Sequence, residues 1–176
     1  MLYNYHTHTT YCDGKNTPEE MVQKALELGF DTLGFSIHAY MWYSEIMGKR
    51  GDQSPKYIEE IKRLKEVYKD RIKLILGIEL DMYAPVDLSE YEYIIGSMHY
   101  FKFGKDEKPV PFDRNDETVA RLINDYFDGD GMKYVRRYYE EIVTMHDVVG
   151  KKIDVIGHFD LITKNTLLGV GERSVS

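Results

Sequence analysis

Two histidines separated by a single residue lie near the N-terminus, in the segment His6-Thr7-His8. In an extended strand, alternate side chains point to the same face, so both imidazoles could reach one metal ion. Such a pair alone is weak evidence, because two histidines at this spacing also occur by chance. Asp13 follows in the turn CDGKN. An Asp-Gly pair in a turn more often serves backbone geometry than metal binding.

Four more residues of metal-binding types occur at the ends of predicted strands. His38 comes directly after TLGFSI, Glu79 lies near the end of KLILGIEL, and His99 comes directly after YEYIIGSM. His158 lies within the predicted strand DVIGHF. In α/β barrels, the active site is built at the C-terminal ends of the strands. The carboxylate of Glu79 must be paired or bound to metal, because an isolated buried charge is very costly.

Each of these histidines, taken alone, is most simply a core or loop residue. For five of the six histidines at successive strand ends, together with Glu79, that interpretation requires a repeated coincidence. Imidazole and carboxylate ligands suit Zn, Mn or Fe, and more ligands are present than one ion can use. A glutamate that bridges neighbouring ions would let them share a hydroxide placed to attack phosphorus.

The elements that must position these residues alternate between strands and helices. Thr17, Pro18 and Glu20 predict the start of the first helix, and Gly29 predicts its end. This alternation predicts an α/β fold with a mostly parallel sheet, either a barrel or doubly wound. No GxGxxG or P-loop follows a predicted strand, which disfavours nucleotide-binding folds. The predicted strands cover residues 2–6, 32–37, 73–80, 91–98 and 154–159, and the later helices cover about 54–68, 116–127 and 131–149.

The composition indicates a folded chain with one substantial core. The 176 residues are 43% apolar, enough for a single domain. The net charge of −7 disfavours general binding to nucleic acid, which usually requires a basic patch. A single cysteine excludes an internal disulfide framework, and no signal peptide or membrane span is evident. We therefore expect a cytoplasmic protein.

The motifs HTHTTYCDG, GIELD, GSMHY and GHFDLITK, with His38, resemble in order and spacing the polymerase-and-histidinol-phosphatase (PHP) superfamily. GSMHY and GHFDLITK resemble its histidinol-phosphate phosphatase group in particular. The resemblance covers residues 1 to about 164. It implies a distorted parallel (β/α)7 TIM-like barrel, of which this chain would contain about five strand–helix units.

The resemblance also implies two to three divalent metal ions and a reaction. The reaction would be hydrolysis of L-histidinol phosphate to L-histidinol and phosphate, in histidine biosynthesis, by attack of a metal-bound hydroxide on phosphorus. His6, His8 and Glu79 would bind one metal. Glu79, His99 and His158 would bind a second metal and act as the catalytic residues, with Glu79 as the bridge.

The same resemblance assigns Asp13 and His38 to a third metal, although the position of Asp13 varies across the family. Contacts to the substrate phosphate are less defined. Arg114, Arg136 and Arg137 are candidates, but an arginine is more often a solvated surface residue.

The sequence departs from the family pattern after ITK. The family ends its pattern with an Asp-x-His motif, which supplies one ligand to the first metal and one to the third. Here the chain reads NTLLGVGERSVS instead. We therefore expect one PHP-type domain over residues 1–176, lacking about two strand–helix units, with residues 165–176 as an atypical tail.

Two alternatives remain open. The chain could be a PHP phosphoesterase that acts on another substrate, such as a nucleotide. It could also be a non-catalytic metal-binding protein that lacks the Asp-x-His ligands. An incomplete barrel would leave its first and last strands unpaired, and such edges recruit other chains. A homo-oligomer that covers this gap is therefore expected.

Overall fold

The computed structural model describes residues 1–45, 47–105, 107–149 and 153–165. Contacts divide the chain into two compact units, residues 1–96 with 153–155, and residues 97–152 with 156–176. Among the described residues, no helix combines the length and the apolar character needed to cross a membrane.

The elements in chain order are β1 (Tyr3–Asn4), α1 (Pro18–Glu27), β2 (Thr32–His38), α2 (Met47–Arg50), α3 (Ser54–Tyr68), β3 (Lys73–Asp81), β4 (Tyr93–Ser97), β5 (Tyr100–Phe101), β6 (Val110–Pro111), α4 (Asp116–Tyr126), α5 (Gly131–Val149), β7 (Val155–Ile156) and a 3-10 turn (Leu161–Thr163).

Five of the strands form one sheet in the order β1-β2-β3-β4-β7. β1 pairs with β2 in parallel, and β2 pairs with β3 in parallel over its whole length. Nearly every residue of β2 and β3 is buried, as expected of strands covered on both faces. The register places His38 directly beside Glu79. Two of the predicted site residues are therefore neighbours at the C-terminal ends of adjacent strands.

The predictions of the first two long helices, α1 and α3, are confirmed. At the start of α1, Thr17 and Glu20 form the predicted capping box, and Pro18 occupies the first turn. Gly29 follows the helix with a positive φ of 75°, a conformation that glycine adopts without steric cost. α1 packs on β2 and α3, and α3 packs on β2 and β3. The buried side of α3 carries the four residues of its helical repeat: Tyr57, Ile61, Leu64 and Tyr68.

The second unit is built around aromatic side chains. Phe101 contacts the rings of Phe112, Phe127 and Tyr134 at centroid distances of 4.7, 6.0 and 5.6 Å. The Tyr134 hydroxyl donates to the carbonyl of Phe112 at 2.9 Å. α4 and α5 occupy nearly the ranges predicted from their periodicity.

The structure differs from the prediction mainly in the short strands. β1 and β7 have two residues each, because their ladders end earlier than the apolar pattern does. β5 and β6 form an antiparallel pair that lies outside the predicted strands. Two-residue strands have no alternation that a sequence pattern could detect. Residues 166–176, most of the expected tail, lie outside the described residues.

Candidate metal centre

Glu79 is a buried carboxylate near the C-terminal end of β3. It is 1% exposed, in a strand whose other residues are almost all apolar. Burial at this level removes the carboxylate from water, so its charge needs close partners of opposite charge or a metal ion. The groups around Glu79 must therefore supply this compensation.

Three imidazoles surround a single oxygen of this carboxylate. The Oε2 atom of Glu79 lies 3.1 Å from Nε2 of His6, 3.2 Å from Nε2 of His8 and 3.0 Å from Nδ1 of His38. The rings of His8 and His38 are stacked at 4.3 Å. The ligand atoms of His8, His38 and Glu79 all lie within 4.8 Å of one another. This set of nitrogen and carboxylate donors fits a borderline divalent ion such as Zn, Mn or Fe.

Asp13 lies on the other side of the same two stacked rings. Its Oδ1 atom is 3.7 Å from Nδ1 of His8, and its Oδ2 atom is 3.5 Å from Nε2 of His38. Each of the two imidazoles therefore faces Glu79 with one nitrogen and Asp13 with the other. The turn at Asp13 is folded tightly against His8, since a Cβ atom on Gly14 would lie 2.4 Å from the His8 carbonyl.

The two carboxylates and the histidines perturb one another electrostatically. Burial lowers the pKa of His8, but hydrogen bonds to Cys12 and Glu79 outweigh it and raise the pKa to about 9. Burial likewise opposes charge on His38, and its contacts with Asp13 and Glu79 still raise its pKa well above the usual value. The hydrogen bond from His38 holds the pKa of Asp13 well below its usual range. Without metal, protons on the imidazoles thus balance the carboxylate charges.

Cys12 is a member of this cluster that the sequence reasoning missed. Its side chain is fully buried, and its Sγ atom lies 3.5 Å from Nδ1 of His8. Its position four residues after His8 and next to Asp13 is a signal that could have drawn attention to it. Thr7 and Ser36, which hold the histidine segment, were also missed.

His99 and His158 are brought together within the second unit. Their rings lie 5.0 Å apart in an edge-on arrangement. His99 follows the end of β4 by two residues, as predicted. His158 was predicted inside a strand, which is wrong, because β7 ends at Ile156 and His158 follows it with a positive φ of 27°. The hydroxyl of Tyr138 donates to the carbonyl of His158 at 3.1 Å and anchors this turn.

The three candidate arginines are all in the second unit. Arg137 forms an ion pair with Glu141 and donates to the carbonyl of Lys102 at 3.1 Å, so its guanidinium stabilises the unit itself. Arg136 is exposed on α5, and Arg114 is exposed just before the N-cap of α4.

The PHP domain profile matches residues 4–173 of the chain. A protein of Deinococcus radiodurans named "Probable histidinol-phosphatase" is 29% identical over 138 residues, which cover 72% of this chain and 53% of the relative. The chain spans about half the length of the first curated relatives it matches.

Two solved structures have a similar fold. The structure of a candidate histidinol phosphatase from Listeria monocytogenes matches with a TM-score of 0.67 at 20% identity, over 92% of this chain and 68% of that one. Histidinol phosphate phosphatase from Lactococcus lactis, solved with zinc, L-histidinol and phosphate, matches with a TM-score of 0.54 at 21% identity, over 93% of this chain and 59% of that one. The expected fold class, an incomplete parallel TIM-like barrel, is confirmed. Because the profile covers almost the whole chain, this protein belongs to the PHP domain family.

Proposed function

We propose that this chain carries the metal centre of a phosphomonoester hydrolase. The observation that supports the proposal most strongly is the convergence of three imidazole nitrogens on one oxygen of the buried Glu79. In this proposal, His6, His8 and Glu79 hold a first divalent ion. From the resemblance to the PHP family, His99 and His158 would hold a second one, with Glu79 as the bridge.

A third ion would belong to Asp13 and His38, which face each other at 3.5 Å. Bound metal ions would supply charge neutralisation for a phosphate and activation of a water molecule. The chain's own residues contribute orientation, because each imidazole is fixed by a contact at its second nitrogen or on its ring face. The burial of Glu79 limits competition from bulk water for the ligands.

The substrate we propose is L-histidinol phosphate, in histidine biosynthesis. The names of the relatives support this choice. We place the cationic end of this substrate in a cavity of about 390 Å³ in the first unit. L-histidinol carries an amine and an imidazole, and cations of this kind bind to aromatic faces and carboxylates. Tyr40 of the cavity follows His38 by two residues. The aromatic and acidic residues that line it are Tyr40, Trp42, Tyr91, Asp52, Asp87 and Glu90.

The central test combines metal content with turnover. We expect the purified protein to bind divalent metal and to hydrolyse L-histidinol phosphate faster than nucleoside monophosphates. Replacing Glu79 with Gln should lower the occupancy of two metals together and abolish turnover, since Glu79 is proposed to bridge them. Glu66→Gln is the matched control, because the Glu66 side chain is 81% exposed. Loss of only one metal in Glu79→Gln would refute the bridge.

The other outcomes identify the alternatives. Faster turnover of nucleotides would assign the chain to a PHP phosphoesterase with a different substrate. Stoichiometric metal without turnover of any phosphomonoester would indicate a metal-binding protein that is not catalytic.

A separate prediction concerns where the cationic end of the substrate binds. Trp42 is 65% exposed at this cavity, so its replacement should cost little in stability. Trp42→Ala should raise KM for L-histidinol phosphate by about 2- to 5-fold, the range of an exposed cation–π contact. KM for p-nitrophenyl phosphate, which has no cation, should stay the same. An equal change for both substrates would place the cationic end elsewhere.

A further inference from the structure

The backbone that carries His6 and His8 lies beyond the end of the β1–β2 ladder. β1 ends at Asn4, which pairs with Leu33 of β2. The amide of His6 donates to the side-chain oxygen of Asn4 at 3.0 Å and so does not continue the ladder. Other contacts must therefore hold the two histidines against β2.

Thr7, the residue between the two histidines, makes these contacts. Its hydroxyl donates to the carbonyl of Gly34 at 2.7 Å, and its amide donates to the hydroxyl of Ser36 at 3.1 Å. The carbonyl of Thr7 accepts from the amide of Ser36 at 3.0 Å and from its hydroxyl at 3.2 Å. Thr7 and Ser36 are 6% and 0% exposed, so loss of either hydroxyl would leave a buried polar partner without its bond.

A tyrosine from β4 completes the same junction. The hydroxyl of Tyr93 lies 2.5 Å from the carbonyl of Tyr5 and 3.0 Å from the carbonyl of Phe35. Tyr5 directly follows the last residue of β1, and Phe35 lies in β2. The hydroxyl therefore contacts the backbone of both segments beyond the end of the β1–β2 ladder. Side-chain hydrogen bonds thus add to the backbone bond from the Ser36 amide to the Thr7 carbonyl, just before and at the histidine pair.

We propose that Thr7 and Ser36 are positioning residues for the metal centre. They fix the backbone on both sides of Thr7, so that the imidazoles of His6 and His8 reach the same oxygen of Glu79 at 3.1 and 3.2 Å. This inference rests on the proposed function, because it assigns the two histidines to one metal. In this proposal, neither hydroxyl binds the metal or an imidazole nitrogen. Both hydroxyls act through the backbone.

The test is the metal affinity of variants that lose a hydroxyl but keep the side-chain shape. Thr7→Val and Ser36→Ala should each weaken zinc binding by roughly 10- to 100-fold, the range measured for residues that orient metal ligands. Thr7→Ser, which keeps the hydroxyl, should restore most of the affinity. Zinc affinity is measured by competition with a chromophoric chelator, and Co²⁺ absorption spectra report ligand geometry.

The matched control is Thr32→Val. Thr32 is 9% exposed and is the first residue of β2, paired with Tyr3 at the opposite end of the strand from His38. It should leave both the zinc affinity and the Co²⁺ spectrum unchanged. If Thr7→Val changes zinc affinity no more than Thr32→Val does, the inference is overturned while the proposed function stands. A wild-type protein that binds no zinc would overturn both.

Discussion

The two nitrogens of His8 contact different groups, and this arrangement has a consequence for metal binding. Nε2 lies 3.2 Å from Glu79, and Nδ1 lies 3.5 Å from the thiol of Cys12. These partners raise the pKa of His8 to about 9 in the absence of metal. The imidazole is therefore protonated at pH 7, whereas a metal ligand must be neutral. Metal and proton compete for the same site.

We therefore expect zinc binding at pH 7 to release at least one proton from His8. The sign follows from the raised pKa: affinity should increase as the pH rises toward 9 and level off above it. Calorimetry in buffers of different ionisation enthalpy measures the protons released. The number should be smaller at pH 10 than at pH 7. Binding at pH 7 with no proton release would contradict the electrostatic coupling described for this site.

At the scale of the elements, β2 and β3 must approach the ring of Tyr93 very closely. A Cβ atom on Gly77 would lie 2.1 Å from the Tyr93 ring, and one on Gly34 would lie 2.6 Å from its hydroxyl. Glycines at these two positions leave room for Tyr93 against the backbone. The tyrosine in turn bonds to the carbonyls beside the histidine segment. Sheet packing and the site are thus connected through one side chain.

Gly77→Ala should therefore destabilise the protein by about 1–3 kcal/mol, the usual cost of overpacking a buried site. The free energy of unfolding in denaturant measures the loss. The same substitution in a Tyr93→Leu background should cost less, because the ring that it would contact is gone. Equal costs in the two backgrounds would show that the ring is not the source of the strain.

At the scale of the whole molecule, the sheet formed by the described residues ends at β1 on one side and at β7 on the other. Apolar side chains are exposed on both, with Tyr3 60% and Ile156 55% exposed. Unpaired strand edges beside apolar side chains favour association with another chain. These exposed strand edges give a physical reason for the homo-oligomer that the sequence predicts, and the homo-oligomer stays a prediction.

We expect the association to depend on concentration and on these edges. Light scattering or sedimentation over a range of protein concentrations should detect a species larger than the monomer. Ile156→Lys should shift the protein toward the monomer, because a charged edge resists pairing. Val67→Lys on α3 is the control, because the Val67 side chain is 56% exposed and lies outside the sheet. A monomer at all concentrations would end the oligomer hypothesis.

The sequence alone predicted the order of the longer strands and helices and most of the residues that meet at the candidate metal centre. The capping box at Thr17 and the apolar run of β3 are local signals, set by a few neighbouring residues. Glu79 stood out for a similar reason, since a carboxylate in an apolar strand has a cost that depends little on the rest of the fold.

Only the tertiary structure decided which atoms meet. That Oε2 of Glu79 faces three imidazoles depends on the register of β2 against β3 and on the path of the chain after β1. Cys12 left only the signal of its place between His8 and Asp13, and Thr7 left none, because a buried hydroxyl has no distinctive sequence pattern. The role of Thr7 comes from hydrogen bonds to Gly34 and Ser36, which lie 27 and 29 residues further along the chain, and such contacts exist only once the strands have assembled.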